Sequence, residues 1–254
     1  MENLYPKFER NRILKKEQLM AIRDRCFGYL ETEYLEYGEG IVTGCGIQVE
    51  GYELVVGPGM LKCGEFIYLL EEERIGYEPK EGVQYLKLRR KGEKDLPDGA
   101  VYEMGLVLEM SGSREEYEYE LCRFHLREGA RLRQEYTDFY DMGTEYDTVN
   151  VIHGSWSGLG GKGIAPSVTR QFAEELLRRE RLEAEDYGFA CQCLCQRGAM
   201  PLKVVETYIQ RRTGEASAGR QRVYEMLCRI LEEAGGTRRR TGGSGKGRRQ
   251  ILVD

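Results

Sequence analysis

Between residues 41 and 70 the chain alternates short apolar runs with glycine-rich breaks: IVTGCGIQVEGYELVVGPGMLKCGEFIYLL. Ile47 and Val49 fall on one side of an extended backbone, Gln48 and Glu50 on the other, and Leu54 and Val56 repeat the pattern beyond Gly51. Gly57, Pro58 and Gly59 then stop the strand, because proline fixes φ and glycine tolerates positive φ. The run predicts a compact β-meander with no gap for a catalytic loop. Further strands are expected over 83–88, 100–110 and 117–126, separated by 91–99 and by Ser111-Gly112-Ser113. In the last of them Glu116, Glu118 and Glu120 alternate with Tyr117, Tyr119 and Leu121, which predicts one wet face and one buried or partner-facing face. From Cys122 onward the apolar phase is carried by Cys122, Phe124 and Leu126, so a bulge or bend is expected there.

Helical periods flank this region. Leu19, Ile22, Cys26, Tyr29 and Leu30 recur at three- and four-residue steps and predict a helix over 14–34, ended by Gly38 and Gly40. After the glycine-rich stretch HGSWSGLGGKG, Pro166 opens a helix whose stripe is Val168, Phe172, Ala173, Leu176 and Leu177. Helices follow over 186–196, 201–212 and 220–233, the last with Val223, Met226, Leu227, Ile230 and Leu231. The expected organisation is an N-terminal helical arm (1–37), an antiparallel β-sandwich (38–150), a glycine-rich linker (151–163), a small all-α domain (164–235) and a flexible basic tail (236–254). The fold class is α+β. No internal repeat is visible.

Charge changes this picture at the end of the chain. Arg238, Arg239, Arg240, Lys246, Arg248 and Arg249 stand against Asp254 alone, a net of +5, so with −5 overall the rest carries −10. An acidic body with a basic tail suggests an oppositely charged partner surface, including another copy of the chain. Ile251, Leu252 and Val253 form an apolar tip on this tether, suited to adding a strand to a neighbour's sheet while the arginines hold an acidic rim. No run approaches the ~20 apolar residues of a membrane span. With mean hydropathy of −0.56, no secretory signal and scattered cysteines, a soluble cytoplasmic product with reduced thiols is expected.

Candidate chemistry is sparse. A phosphate loop needs G-x-x-x-x-G-K-[ST]. Ahead of Gly245-Lys246 the first glycine is replaced by Arg240, ahead of Gly161-Lys162 by Trp156, and glycine follows both lysines. These read as flexible linkers. On a helix Cys191 and Cys195 share a face and Cys193 opposes them, which is half a zinc site that Cys228 could extend to a third ligand, with no nearby histidine to complete it. His125 lies in a predicted strand and His153 beside Ser155, without a recognisable orienting group. No catalytic residue, metal, cofactor or small-molecule substrate is expected. Asp138, Asp141, Glu145 and Asp147, interleaved with Tyr136, Phe139, Tyr140 and Tyr146, read as a solvated face or as a protein contact surface open to a neighbour's basic tail. Interface residues are therefore expected at Tyr117, Tyr119, Asp138, Asp141, Trp156, Arg238, Arg239, Arg240, Arg248, Arg249, Ile251, Leu252 and Val253.

The run GIVTGCGIQV…YELVVGPGMLKCGEFIYLLEEE resembles the strand–turn pattern of bacteriophage baseplate and tail-fibre attachment domains. It is also similar to the N-terminal shoulder domain of type VI secretion baseplate adaptors. The pieces LCRFHLREGARLR, TEYDTVNVI and APSVTRQFAEELL resemble Firmicute proteins associated with contractile phage-tail-like elements. The resemblance spans most of residues 1–180 and rests on structural glycines and strands. Those adaptors continue into a helical neck and a membrane-docking head, where this chain has short helices and a basic tail. The resemblance implies a non-enzymatic baseplate subunit of a contractile tail or injection system, homo- or hetero-oligomeric, with other tail subunits as partners. Two rival readings follow from the residues. One is a carbohydrate- or receptor-binding β-sandwich that stacks sugars on Trp156 and exposed tyrosines. The other, less expected, is a nucleic-acid adaptor using the basic tail, whose binding would weaken steeply with salt.

Overall fold

In the computed structural model Phe8, Arg10, residues 13–97 and residues 99–235 are described. The fold is α+β: an N-terminal helix, antiparallel sheets, then helices. Helix α1 (Lys16–Glu33) precedes six short strands: β1 (Gly40–Gly44), β2 (Ile47–Glu50), β3 (Glu53–Val56), β4 (Gly59–Cys63), β5 (Phe66–Leu70) and β6 (Glu73–Gly76). They form two sheets ordered β1-β4-β5 and β2-β3-β6. Gly44 faces Gly59, Val49 faces Leu54, Met60 faces Leu69 and Leu54 faces Ile75. The register shows one meander of three long strands, each kinked at its middle. Gly57-Pro58 is therefore a kink in a continuing strand and not its end. Pairing survives the kink because Cys45 N donates to Pro58 O (3.1 Å) and Gly57 N to Gly46 O (2.8 Å). Pro58 has no N–H to lose there. The hairpin loops are Gly51-Tyr52 and Gly64-Glu65. Both glycines have positive φ, 63° and 60°, as two-residue hairpins require.

The second layer is β7 (Gln84–Leu96), β8 (Gly99–Glu109) and β9 (Glu118–Phe124), ordered β8-β7-β9. Residues 91–96, expected as a separator, continue β7. Lys94 and Glu103 close this part of the hairpin across the strands at 2.5 Å, and the Arg90 guanidinium lies over the Tyr102 ring. Cross-strand pairs of this kind leave no apolar alternation to read. The bulge expected near Cys122 is present: Leu86 pairs with Cys122 but Lys87 with Glu120, leaving Leu121 extra. Leu121 and Cys122 are consecutive and both buried, which an unbroken strand facing one core would not allow. Leu54, Leu61, Leu86, Leu88, Cys122 and Phe124 belong to a core shared by meander and second layer.

The glycine-rich segment is packed. Strands β10 (Ser157–Gly158), β11 (Gly161–Ile164) and β12 (Met200–Pro201) form a small sheet, so Lys162 sits in a strand and not in a flexible linker. Ile41 N donates to Ser155 O (2.8 Å), and Ser157 Oγ to Gly38 O (2.6 Å). A Cβ on Gly40, whose φ is +128°, would lie 2.2 Å from Ser155 O, and one on Gly38 would lie 2.4 Å from Gly161 O. These glycines admit a close backbone approach; α1 has already ended at Glu33.

Helices α2 (Pro166–Leu176), α3 (Ala184–Cys195), α4 (Leu202–Thr213) and α5 (Arg220–Ala234) enclose the second core. Pro166 starts α2 at its first turn and Gly214, with φ of +74°, ends α4. Phe189 stacks on Tyr208 at 4.0 Å, with Phe172, Val205, Ile209, Leu227 and Ile230 around them. Val151 and Trp156 pack against both cores. No helix among the described residues is long and apolar enough to cross a membrane.

Candidate interaction surface

Several residues expected at an interface are engaged within the chain. Tyr119 is buried in the β core, where its hydroxyl donates to Glu39 Oε2 at 3.1 Å and burial raises its pKa. Tyr117 is half-buried, with Arg90 over its ring at 5.2 Å. The wet face assigned to Glu118 and Glu120 is absent, for both carboxylates are buried. Glu118 joins a four-charge cluster around Lys87, which is fully enclosed. Lys87 Nζ lies 2.6 Å from Glu109 and 3.2 Å from Glu118, and Arg89 bridges both acids. Burial alone would lower the Lys87 pKa, but the hydrogen bonds to Glu109 and Glu118 outweigh it and raise the pKa overall. Glu120 is held by the forked guanidinium of Arg123 at 2.7 and 2.9 Å. Pairing with cations on β7 and β9 is what lets these acids turn inward.

The acidic–aromatic run 136–147 is a clasp on the helical core. Asp141 accepts two bonds from Arg133 (2.5 Å each), one from Thr137 N (2.9 Å) and one from Thr144 Oγ1 (2.8 Å). The Arg133 guanidinium, opposed in part by burial, holds this carboxyl well below the usual carboxylate range. Asp147 is paired with Arg127, and Tyr136 donates to Val149 O (2.6 Å). Phe139 and Met142 are buried. Of the expected pair only Asp138 stays exposed, accepting from Asp141 N at 2.9 Å. Trp156 lies against both cores instead of standing clear in solvent, where a sugar would stack. Arg238, Arg239, Arg240, Arg248, Arg249, Ile251, Leu252 and Val253 lie outside the described residues.

Sequence reasoning did not find Arg220, which donates to the carbonyls of Gly163 (3.2 Å) and Trp156 (3.2 Å) at the seam between the cores. Burial and the nearby Arg114 lower its pKa to about 10. His125 Nε2 accepts from Gly82 N (3.2 Å) and its ring lies on Tyr146. Burial depresses the pKa of His153. All eight cysteines are free; Cys193 is buried while Cys191 and Cys195 are exposed, as the helical spacing requires. Among the described residues no group of three or more His, Cys, Asp or Glu is gathered to hold a metal.

Helix α1 carries an apolar surface left exposed by the described residues. Its 18 residues include none that is buried, and Leu19, Phe27 and Tyr29 are 51%, 59% and 66% exposed. Beside it, Phe66 and Leu69 of β5 are also exposed. Lys62 pins the helix at its C-terminal end, its ammonium donating to the carbonyls of Tyr34 (2.6 Å), Leu35 (3.1 Å) and Tyr37 (2.8 Å). A cation there meets the negative end of the helix dipole. A second apolar feature is a groove of about 620 Å³ between α3 and α4, lined by Phe189, Tyr208, Val204, Pro201 and Leu159.

No family model matches the sequence, and no curated protein matches it. Among solved structures, the chain is similar to a crystal structure of TssK, with a TM-score of 0.38 and 8% identity over 92% of this chain and 69% of that one. It is also similar to the type VI secretion TssK–TssF–TssG baseplate subcomplex seen by cryo-electron microscopy, with a TM-score of 0.39 and 9% identity over 92% of this chain and 100% of that one. At this level of similarity neither neighbour's role passes to this chain.

Proposed function

We propose that the chain is a non-enzymatic structural subunit of a contractile phage-tail-like particle or injection system, a baseplate component that acts through contacts with other tail subunits. The observation that carries the assembly role is α1, an 18-residue helix none of whose apolar side chains is buried within the chain. Most helical stability in proteins comes from packing an apolar face against a partner, not from intrinsic propensity. A contiguous exposed apolar surface marks a contact site. The resemblance of residues 40–73 to baseplate and tail attachment domains supplies the kind of particle. Co-expression with the genes that flank it, followed by negative-stain imaging, tests the reading. Incorporation into sheath- or baseplate-like particles is the expected result. A monodisperse monomer that never enters such particles would overturn it.

A further inference from the structure

Helix α1 and the α3–α4 groove complement each other in chemistry and in length. On α1, Met20 and Phe27 are both exposed and seven residues apart, about 10.5 Å along the axis. Glu17, Asp24 and Glu31 recur at the same spacing on the adjoining strip of the helix, so a row of acids runs beside a row of large apolar groups. The groove mirrors this arrangement. Its floor is Phe189, Tyr208, Val204 and Leu159, and its α4 rim carries Lys203 and Arg211, eight residues or about 12 Å apart. On the α3 wall Gly188 presents no side chain, and a Cβ added there would meet nothing within 4 Å. That leaves room for a helix to come close. Arg211 pairs with Glu185 at 3.3 Å and Asp24 with its neighbour Arg23 at 2.5 Å, but all four side chains are exposed, and such pairs exchange partners at little cost.

We propose that α1 of one copy docks in the α3–α4 groove of a second copy. Met20 and Phe27 lie on the apolar floor, and Asp24 and Glu31 face Lys203 and Arg211. The proposal deepens the assembly reading and rests on it, since it names another copy of this chain as one of the partners. Helix and groove are different surfaces, so the contact is heterologous: each copy gives a helix and receives one, and the array closes into a ring or extends as a filament.

A mixing experiment on the whole chain decides the matter. Phe27→Asp removes the helix side and Val204→Asp the groove side; both positions are exposed, so folding is not at stake. In sedimentation velocity the parent self-associates with rising concentration, and each variant alone binds itself roughly tenfold or more weakly. A 1:1 mixture of the two variants yields a dimer and nothing larger, because one competent helix and one competent groove remain per pair. Asp24→Lys weakens association, and adding Lys203→Glu in the same contact restores it. A parent that stays monomeric at every concentration would overturn the proposal. So would an oligomer that Phe27→Asp abolishes and Val204→Asp leaves intact, since α1 would then be meeting α1. If the parent stays monomeric yet still enters tail-like particles, this inference falls and the assembly reading stands. If it does neither, both fall.

Discussion

Helix α5 buries Val223, Met226, Leu227, Ile230 and Leu231, whereas α1 leaves Leu19, Ile22, Cys26 and Tyr29 in solvent, although both sets recur at three- and four-residue steps. The period states that a helix has an apolar face; it does not state what covers that face. For α5 the cover lies in the same chain: Phe139, Phe172 and Ile209 share its core, and Tyr224 Oη donates to the carbonyls of Phe139 and Tyr140 at 2.9 Å. For α1 the chain offers an attachment at one end, through Lys62, and an exposed strand beside it. One helix is finished by folding, and the other keeps its apolar side chains in solvent.

Substitutions can break this contrast, and the largest effect is expected where charge follows the same logic as apolar area. Lys87→Ala removes the enclosed cation of the cluster and leaves buried Glu118 to Arg89 alone, and should cost about 3–5 kcal/mol in denaturant unfolding. A cost below about 1 kcal/mol would mean that the four-charge cluster is hydrated and not enclosed. Next comes the pair that tests the helices themselves. Leu227→Ala in α5 should cost about 2–5 kcal/mol, whereas Phe27→Ala in α1 should leave the dilute chain's stability within about 0.5 kcal/mol. Equal losses would erase the distinction between them.

A smaller effect concerns acid. The Asp141 carboxyl has its pKa depressed in the folded chain, so its stabilisation is present above the unfolded value of ~3.9 and is lost as pH falls below it. Unfolding midpoints followed from about pH 5 down to pH 2 should therefore fall less steeply in Asp141→Asn than in the parent. An unchanged slope would place the Arg133 contact outside the stability of the clasp. A local effect is expected for Lys62→Met, which frees the carbonyls of Tyr34, Leu35 and Tyr37. Global stability should change by about 1 kcal/mol or less, while limited proteolysis within 16–33 accelerates. A large global loss would show that α1 is part of the cooperative fold.

Local signals were legible in the sequence. Pro166 marks the start of α2, and the bulge follows from the apolar phase change at Cys122. Non-local ones were not. Glu118 and Glu120 alternate like solvent residues because their cations, Lys87, Arg89 and Arg123, are brought to them by strand pairing or by the bulged backbone. Residues 91–96 look like a loop because β8 supplies their order. The glycines of 151–163 suggest looseness, yet the segment is held at the seam by bonds to Gly38, Ile41 and Glu120. For the candidate surface, the exposed tyrosines and acids of the sequence are mostly spent inside. The apolar stripe of α1 was visible, but periodicity carries no sign for in or out.

The central claim is that α1 is completed by another molecule. Hydrogen exchange of the backbone amides, followed in the dilute chain and in the assembled particle, tests it most directly. Amides of α5 should be protected in both states, and those of α1 should exchange quickly in the dilute chain and slow markedly on assembly. Protection of α1 equal to that of α5 in the dilute chain, or no change in α1 on assembly, would contradict the account.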